Sequence, residues 1–186
     1  MNEVFVVHDE HTAPAESAPT LSEAHGKLGF ISSLAGVMAE SPELLEGYSA
    51  AFNAFMRCSL PSLARHAVII AASVENRCEY CVAAHSTMAT RAGMPAPTLE
   101  ALRHGAVTGD PQVDAVATLT RVLVSTRGRA TEEDLDHFYA AGFTRRNVLE
   151  VVLGVGTKTI SNYTNHLAER PLDAAWHEHA WTAPAE

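Results

Sequence analysis

Cysteine is scarce in this chain, aromatic residues are few, and basic residues are outnumbered. There are 3 Cys, an aromatic share of 6%, and 13 Lys and Arg against 22 Asp and Glu. Three cysteines do not make the disulfide framework of a small secreted domain. The formal net charge of −9 argues against nucleic acid, because binding phosphate needs a surplus of Lys and Arg. Long hydrophobic runs are missing too. The longest, such as Ala67–Val74, fall far short of the ~20 residues that cross a bilayer. The N-terminus, MNEVFVVHDEHTAP, has no cationic n-region, and its apolar patch Val4–Val7 is too short for a signal peptide. No stretch alternates apolar and polar residues as a half-buried strand does. These absences predict a cytoplasmic protein with no nucleic-acid and no membrane partner.

What remains is a globular composition, 47% hydrophobic and 19% charged, rich in alanine and suited to close helix packing. A chain of 186 residues fits one domain. Residues 1–24, with Ala, Pro, Ser and Thr from Thr12 to Thr20, read as a loosely structured N-terminal segment, residues 25–172 as a helical domain, and residues 173–186 as a tail. Ser41-Pro42 opens a helix to about Arg57, and Pro61 starts another to Val74 that is apolar on nearly every side and so belongs in a core or subunit interface. Asn76 is placed to cap a third, with Glu79 at the capping-box position and Gly93 at its end. Thr98, Asp110-Pro111, Thr131 and Thr144 start four more, the last reaching about Glu169. The fold class is all-α, with seven or eight helices. Gly154 and Gly156 inside the last helix predict close helix contact there.

The chemistry concentrates in ENRCEYCVAAH, residues 75–85. On a helix capped by Asn76, Cys78 lies in the first turn, where free backbone N–H groups favour a thiolate. Cys81 falls one turn on, close enough for a disulfide, and His85 follows on the same face as a neutral-pH proton acceptor. Glu75, just before the helix, is placed to orient that histidine. Such a set can run a two-electron cycle. A thiolate attacks a hydroperoxide and becomes a sulfenic acid, the second thiol condenses with it, and an external dithiol resets the pair. Two other readings compete. The cysteines can be small buried hydrophobes. They can also bind zinc with His85 and either His66 or Cys58, although no second Cys-x-x-Cys knuckle exists.

The stretch resembles the alkylhydroperoxidase AhpD-like proteins of the carboxymuconolactone decarboxylase superfamily. Glu75-Asn76, Cys78, Tyr80-Cys81 and His85 match the signature E-N-x-C-x-Y-C-x-x-x-H. Leu28-Gly29-Phe30, Ser41-Pro42-Glu43-Leu44-Leu45, Leu60-Pro61, Gly93, Gly142 and Asn162-Tyr163-Thr164-Asn165 fall in the expected order, so the resemblance runs from about residue 25 to 172. It implies an all-helical fold, assembly into a homo-oligomer (dimer, trimer or hexamer), and a peroxidase without cofactor or metal, with a hydroperoxide substrate and a dithiol reductant protein. It further implies Cys81 as the attacking thiol, Cys78 as its resolving partner and His85 as the proton acceptor. Helix position alone favours Cys78 as the more acidic thiol, so the roles rest on the resemblance. Many relatives carry a relay glutamate twelve residues before the first motif cysteine; here that position is His66. Either Glu75 takes its role, His66 relays the proton, or the relay is impaired; a histidine in this apolar helix can equally be a core residue.

Rival functions are a carboxymuconolactone decarboxylase-like lyase, which does not need the cysteine pair, and a non-catalytic zinc or interaction module. Cys58 reads as structural, His104 and His137 as helix-end charges, and His177 and His179 as part of a loose tail. The sequence alone does not place Asn162, Asn165 and His166 relative to the cysteines.

Overall fold

The computed structural model describes residues 5–185; Met1–Val4, where the apolar patch of the N-terminus begins, lie outside the described residues. Among these the chain is helical with no strand, in nine α-helices and one 3-10 turn: α1 Ala18–Leu28, α2 Ser33–Met38, α3 Pro42–Met56, α4 Ser62–Glu75, α5 Glu79–Arg91, α6 Ala96–Arg103, α7 Pro111–Ser125, α8 Glu132–Ala140, α9 Arg145–Ala168, and the turn Ala174–His179.

Helix starts follow cap chemistry. Ser41 and Asp110 accept backbone N–H bonds at the starts of α3 and α7, and each is followed by Pro at the first helical position. Thr131 and Thr144 make full capping boxes with Asp134 and Asn147. Gly93, at φ +87°, takes the left-handed conformation that stops α5.

The apolar α4 is the central strut, packed against α5, α6, α7 and α9. With α7, α8 and α9 it encloses one core around Phe55, Ile69, Ile70, Leu119 and Phe138. A second, smaller core joins α1, α2 and the start of α3 to the cysteine-bearing end of α5 and to Trp176. The functional stretch lies where the two meet.

Thr98 does not start its helix, since α6 begins at Ala96 with Pro95 at the N-cap, and three further expectations change. Asn76 does not cap α5; it is the C-cap of α4. Arg77 N–H bonds Val74 C=O and Cys78 N–H bonds Ser73 C=O, which is a Schellman closure with Arg77 left-handed at φ 56°. Cys78 itself is then the N-cap of α5. Glu79 has no capping box to close and instead accepts a bond from Ala183 N–H. Second, α1 begins at Ala18 inside the segment expected to be loose, because Leu21 finds complete burial in the second core.

Third, the tail is packed rather than loose. Trp176 is 1% exposed against Phe30, and Asp173 accepts hydrogen bonds from Ser33 and from the Tyr80 hydroxyl. Beyond it Trp181 bonds Arg103 C=O, and Arg77 bonds Pro184 C=O. Gly154 meets the close approach that the sequence implies, since a Cβ there would sit 2.7 Å from Phe55 and from Val68. Gly156 does not; it faces open space. Among the described residues, no helix is long and apolar enough to cross a membrane.

Candidate active site

The α4–α5 junction brings the two sulfurs together by construction. Cys78 at the N-cap and Cys81 three residues on occupy the two positions that a capping box would use, so their side chains lie side by side. Both thiols are free and buried. They are not equivalent. Cys81 lines a cavity of about 250 Å³ with mostly apolar walls, among them Leu28, Leu45, Phe52, Met88 and Trp176, while Cys78 lies behind it, outside the lining.

α9 passes beneath this pair and supplies the charge. Lys158 is fully buried, its Nζ lies 2.9 Å from His85 Nε2, and it lines the cavity with Cys81. Burial pushes the Cys81 thiol upward, but the Cys78 thiol donating to it, the Lys158 charge and the Asn162 amide outweigh burial and lower it to about 6. Donation to Cys81, with burial, pushes the Cys78 thiol well above its usual range. The pair therefore holds a thiolate on Cys81 and a proton on Cys78. Asn165 Nδ2 lies 3.7 Å from Cys78 Sγ, and Asn76 Nδ2 donates to Asn162 Oδ1, fixing the amide beside Cys81. The Tyr48 hydroxyl, raised by burial and by the nearby cysteines, closes the cavity side.

Both buried histidines, His85 and His66, are held below the usual imidazole range. Burial, then the charges of Lys158 and His66, hold His85 well below the usual imidazole range. Its Nε2 accepts the Lys158 proton, so the ring proton sits on Nδ1. Among the described residues, the hydrogen bond of His85 runs to Lys158 rather than to Cys81. His66 is buried on α4 near His85 and is lowered by burial and by Arg65. Glu75 is exposed at the end of α4 and makes no side-chain hydrogen bond among the described residues. Cys81 and His85 line the cavity together with Lys158, with Cys78 beside them; His66 and Glu75 lie outside that lining. Among the described residues no three His, Cys, Asp or Glu side chains converge to hold a metal ion.

Lys158 is the residue that the sequence reading missed. A signal exists. Gly154, Lys158, Ser161, Asn162 and Asn165 recur at helical spacing and are all buried, so α9 turns a polar stripe inward where an apolar one is usual. The apolar residues Leu149, Val152, Tyr163 and Leu167 face outward instead.

This all-helical arrangement is the AhpD-like fold. It is similar to a crystal structure of an alkylhydroperoxidase AhpD core, an uncharacterized peroxidase-related protein from Ralstonia eutropha JMP134, with TM-score 0.81, 19% identity and coverage of 92% of this chain and 93% of that one. An uncharacterized peroxidase-related protein from Silicibacter sp. TM1040 superposes with TM-score 0.79 at 18% identity over 95% of both chains. The debrominase Bmp8, as a cysteine-to-alanine variant in complex with 2,3,4-tribromopyrrole, superposes with TM-score 0.80 at 16% identity over 96% of both. No curated protein matches the chain in sequence. Residues 42–121, which carry His66, both motif cysteines and His85, match the Carboxymuconolactone decarboxylase family. Over that segment the chain is similar to the family, and its fold is that of the AhpD-like structures. Lys158 lies outside the matched segment.

Proposed function

We propose that the protein is a thiol-dependent peroxidase that reduces hydroperoxides through Cys81 and Cys78. The observation that carries this reading is the Cys81 sulfur at the wall of an apolar cavity that Lys158 also lines, with the buried Cys78 thiol directly behind it. The Cys81 thiolate attacks the terminal oxygen of ROOH, the O–O bond breaks, and Cys81 becomes a sulfenic acid as the alcohol departs. The Cys78 thiol displaces that hydroxyl as water and forms the disulfide. A dithiol reductant protein then exchanges with the disulfide, is itself oxidised, and restores both thiols.

With Lys158 stabilising the anion, thiolate formation does not need the carboxylate that relatives place at the position of His66. His85 acts as a positioning residue that holds the ammonium beside the sulfur. The outward apolar residues of α9 support self-association with a second copy as the oligomeric form.

The test is one equivalent of an alkyl hydroperoxide followed by thiol counting and peptide mass spectrometry. Two thiols lost per peroxide and a linkage between residues 78 and 81 are expected; unchanged thiols with intact peroxide would sink the reading. A lactone-decarboxylating lyase leaves the buried pair without a task and loses no thiols. A second reading is favoured by the apolar cavity together with the fold shared with a debrominase. In it the same dithiol reduces a brominated heteroaromatic ring, replacing C–Br by C–H and releasing bromide and a proton. Bromide release without peroxide consumption distinguishes it.

A further inference from the structure

Oxidation of the cysteine pair leaves one buried charge without its partner. In the reduced protein the buried Lys158 ammonium and Cys81 thiolate neutralise each other. Once Cys81 is bonded to Cys78, that anion is gone. The helices packed against α9 bring no substitute. α3 contributes the Tyr48 hydroxyl, its Glu43 and Glu46 being exposed. α4 contributes His66; its Arg65 is bonded to Cys58 C=O and Leu60 C=O, and its Glu75 is exposed. α5 contributes the cysteine pair, His85 and Tyr80, whose hydroxyl is held by Asp173, while its Glu79 and Arg91 are exposed. α7 carries only Asp114, bonded to Thr108 and Gly109, and Arg121; α2 carries no titratable side chain. On α9 itself, Glu150 is engaged by Ser59 and Asn147.

A buried ammonium with no counter-charge is strongly disfavoured, and lysines so placed shed their proton near neutrality. Lys158 also lines the same cavity as Cys81, so a molecule attacked by the sulfur meets the ammonium as well. We propose that Lys158 is a catalytic acid that gives its proton to the alkoxide oxygen released when Cys81 breaks the O–O bond, and remains a neutral amine until the pair is reduced again. The inference rests on the thiol-redox reading of this site.

The balance closes without solvent. Thiolate, thiol and ammonium plus ROOH give disulfide and amine plus ROH and water. The sulfur pair loses two electrons to the O–O bond, the ammonium proton goes to the alkoxide oxygen, and the Cys78 proton leaves in the water. If Lys158 kept its proton, the alkoxide would draw one from solvent instead.

The experiment measures proton uptake per disulfide at pH 7.5 in weakly buffered indicator solution, in a Cys58→Ser background so that only one pair forms. Two oxidants are used in separate arms: tert-butyl hydroperoxide, and diamide, which takes two electrons and two protons from any dithiol. No uptake with either is expected; one proton per disulfide overturns the proposal. Lys158→Arg keeps a cation that does not deprotonate, so it should take up one proton per disulfide. Zero uptake in that variant as well would place the donor elsewhere and overturn the assignment.

If the Arg variant misfolds by circular dichroism, the pH dependence of the wild-type couple decides. The equilibrium constant should change a hundredfold per pH unit between pH 7 and 8, about 59 mV, where retention of the ammonium gives only tenfold, about 30 mV. A normal diamide arm with an inert hydroperoxide arm would refute the peroxidase function and the acid role with it, while proton uptake in the diamide arm still decides whether Lys158 loses its proton when the disulfide forms.

Discussion

Replacing Lys158 by Met isolates the source of the Cys81 thiolate. Met is similar in length and apolar, so it fills the buried volume, and exchanging a buried charge for a hydrophobe of similar size is usually tolerated by the fold. The substitution removes the positive charge beside Cys81 while leaving burial, Cys78 and Asn162 in place. At about 4 Å and an effective dielectric constant near 20, an ion pair contributes about 4 kcal/mol, equivalent to roughly three pH units.

Cys81 should then titrate near pH 9 rather than about 6. At pH 7 the thiolate fraction would fall from about nine-tenths to about one-hundredth. Thiolate absorbance at 240 nm across pH 4–10, in a Cys58→Ser background, measures the titration directly, and the rate of iodoacetamide alkylation at pH 7 should drop roughly a hundredfold in parallel. A titration that stays within one pH unit of the wild-type value would refute the assignment of the cation as the cause.

In the wild type, alkylation of Cys81 should rise with pH through about 6 and then level off, because the thiolate is the reactive form and its pKa is depressed; Cys58, raised by burial, should keep climbing above pH 9, and peptide mapping separates the two. Gly154→Ala should destabilise by about 1 kcal/mol net, since overpacking against Phe55 and Val68 exceeds the gain in helix propensity, whereas Gly156→Ala should stabilise by up to about 1 kcal/mol; urea midpoints test both. Glu150→Gln should cost about 2–3 kcal/mol at pH 7 by weakening the bonds from Ser59, Asn147 and Arg146. The Glu150 carboxyl is lowered in the fold by these bonds against the opposing effect of burial, so its contribution should be present above the ordinary carboxyl range and disappear as pH falls through the lowered value; equal acid sensitivity of the variant and the wild type would count against it. Leu149→Asp with Leu167→Asp should shift the protein to monomer in light scattering if the outward face of α9 joins two copies.

Most of the helical frame was legible because its signals are local. Ser41-Pro42, Asp110-Pro111, Thr131 and Thr144 each satisfy backbone donors within three residues, so no tertiary knowledge is needed to place those starts. Asn76 misled because an Asn before a helix and an Asn ending one look alike; the choice was made by the Schellman closure onto Ser73 and Val74.

The pairing of Cys78 with Cys81 was readable from spacing, but their acidity was not. Helix position favours Cys78, whereas the actual order comes from a lysine across the α5–α9 contact, 73 residues away from His85. Lysine is almost never fully buried, so nothing in its immediate neighbours marks Lys158 as internal. The tail escaped for a similar reason. Its composition is that of a loop, and only the cleft beside Phe30, together with Ser33 and Tyr80, gives Trp176 and Asp173 their partners.

Trp176 is both the anchor of the C-terminal segment and a wall of the chamber that holds the reactive sulfur. A polypeptide cut before Asp173 would keep both thiols, the lysine and every helix from α1 to α9, yet would open its reaction chamber to bulk water. Proteolytic nicking at that point would therefore show itself first as a chemical lesion, a sulfenic acid left open to over-oxidation, well before any loss of helical signal.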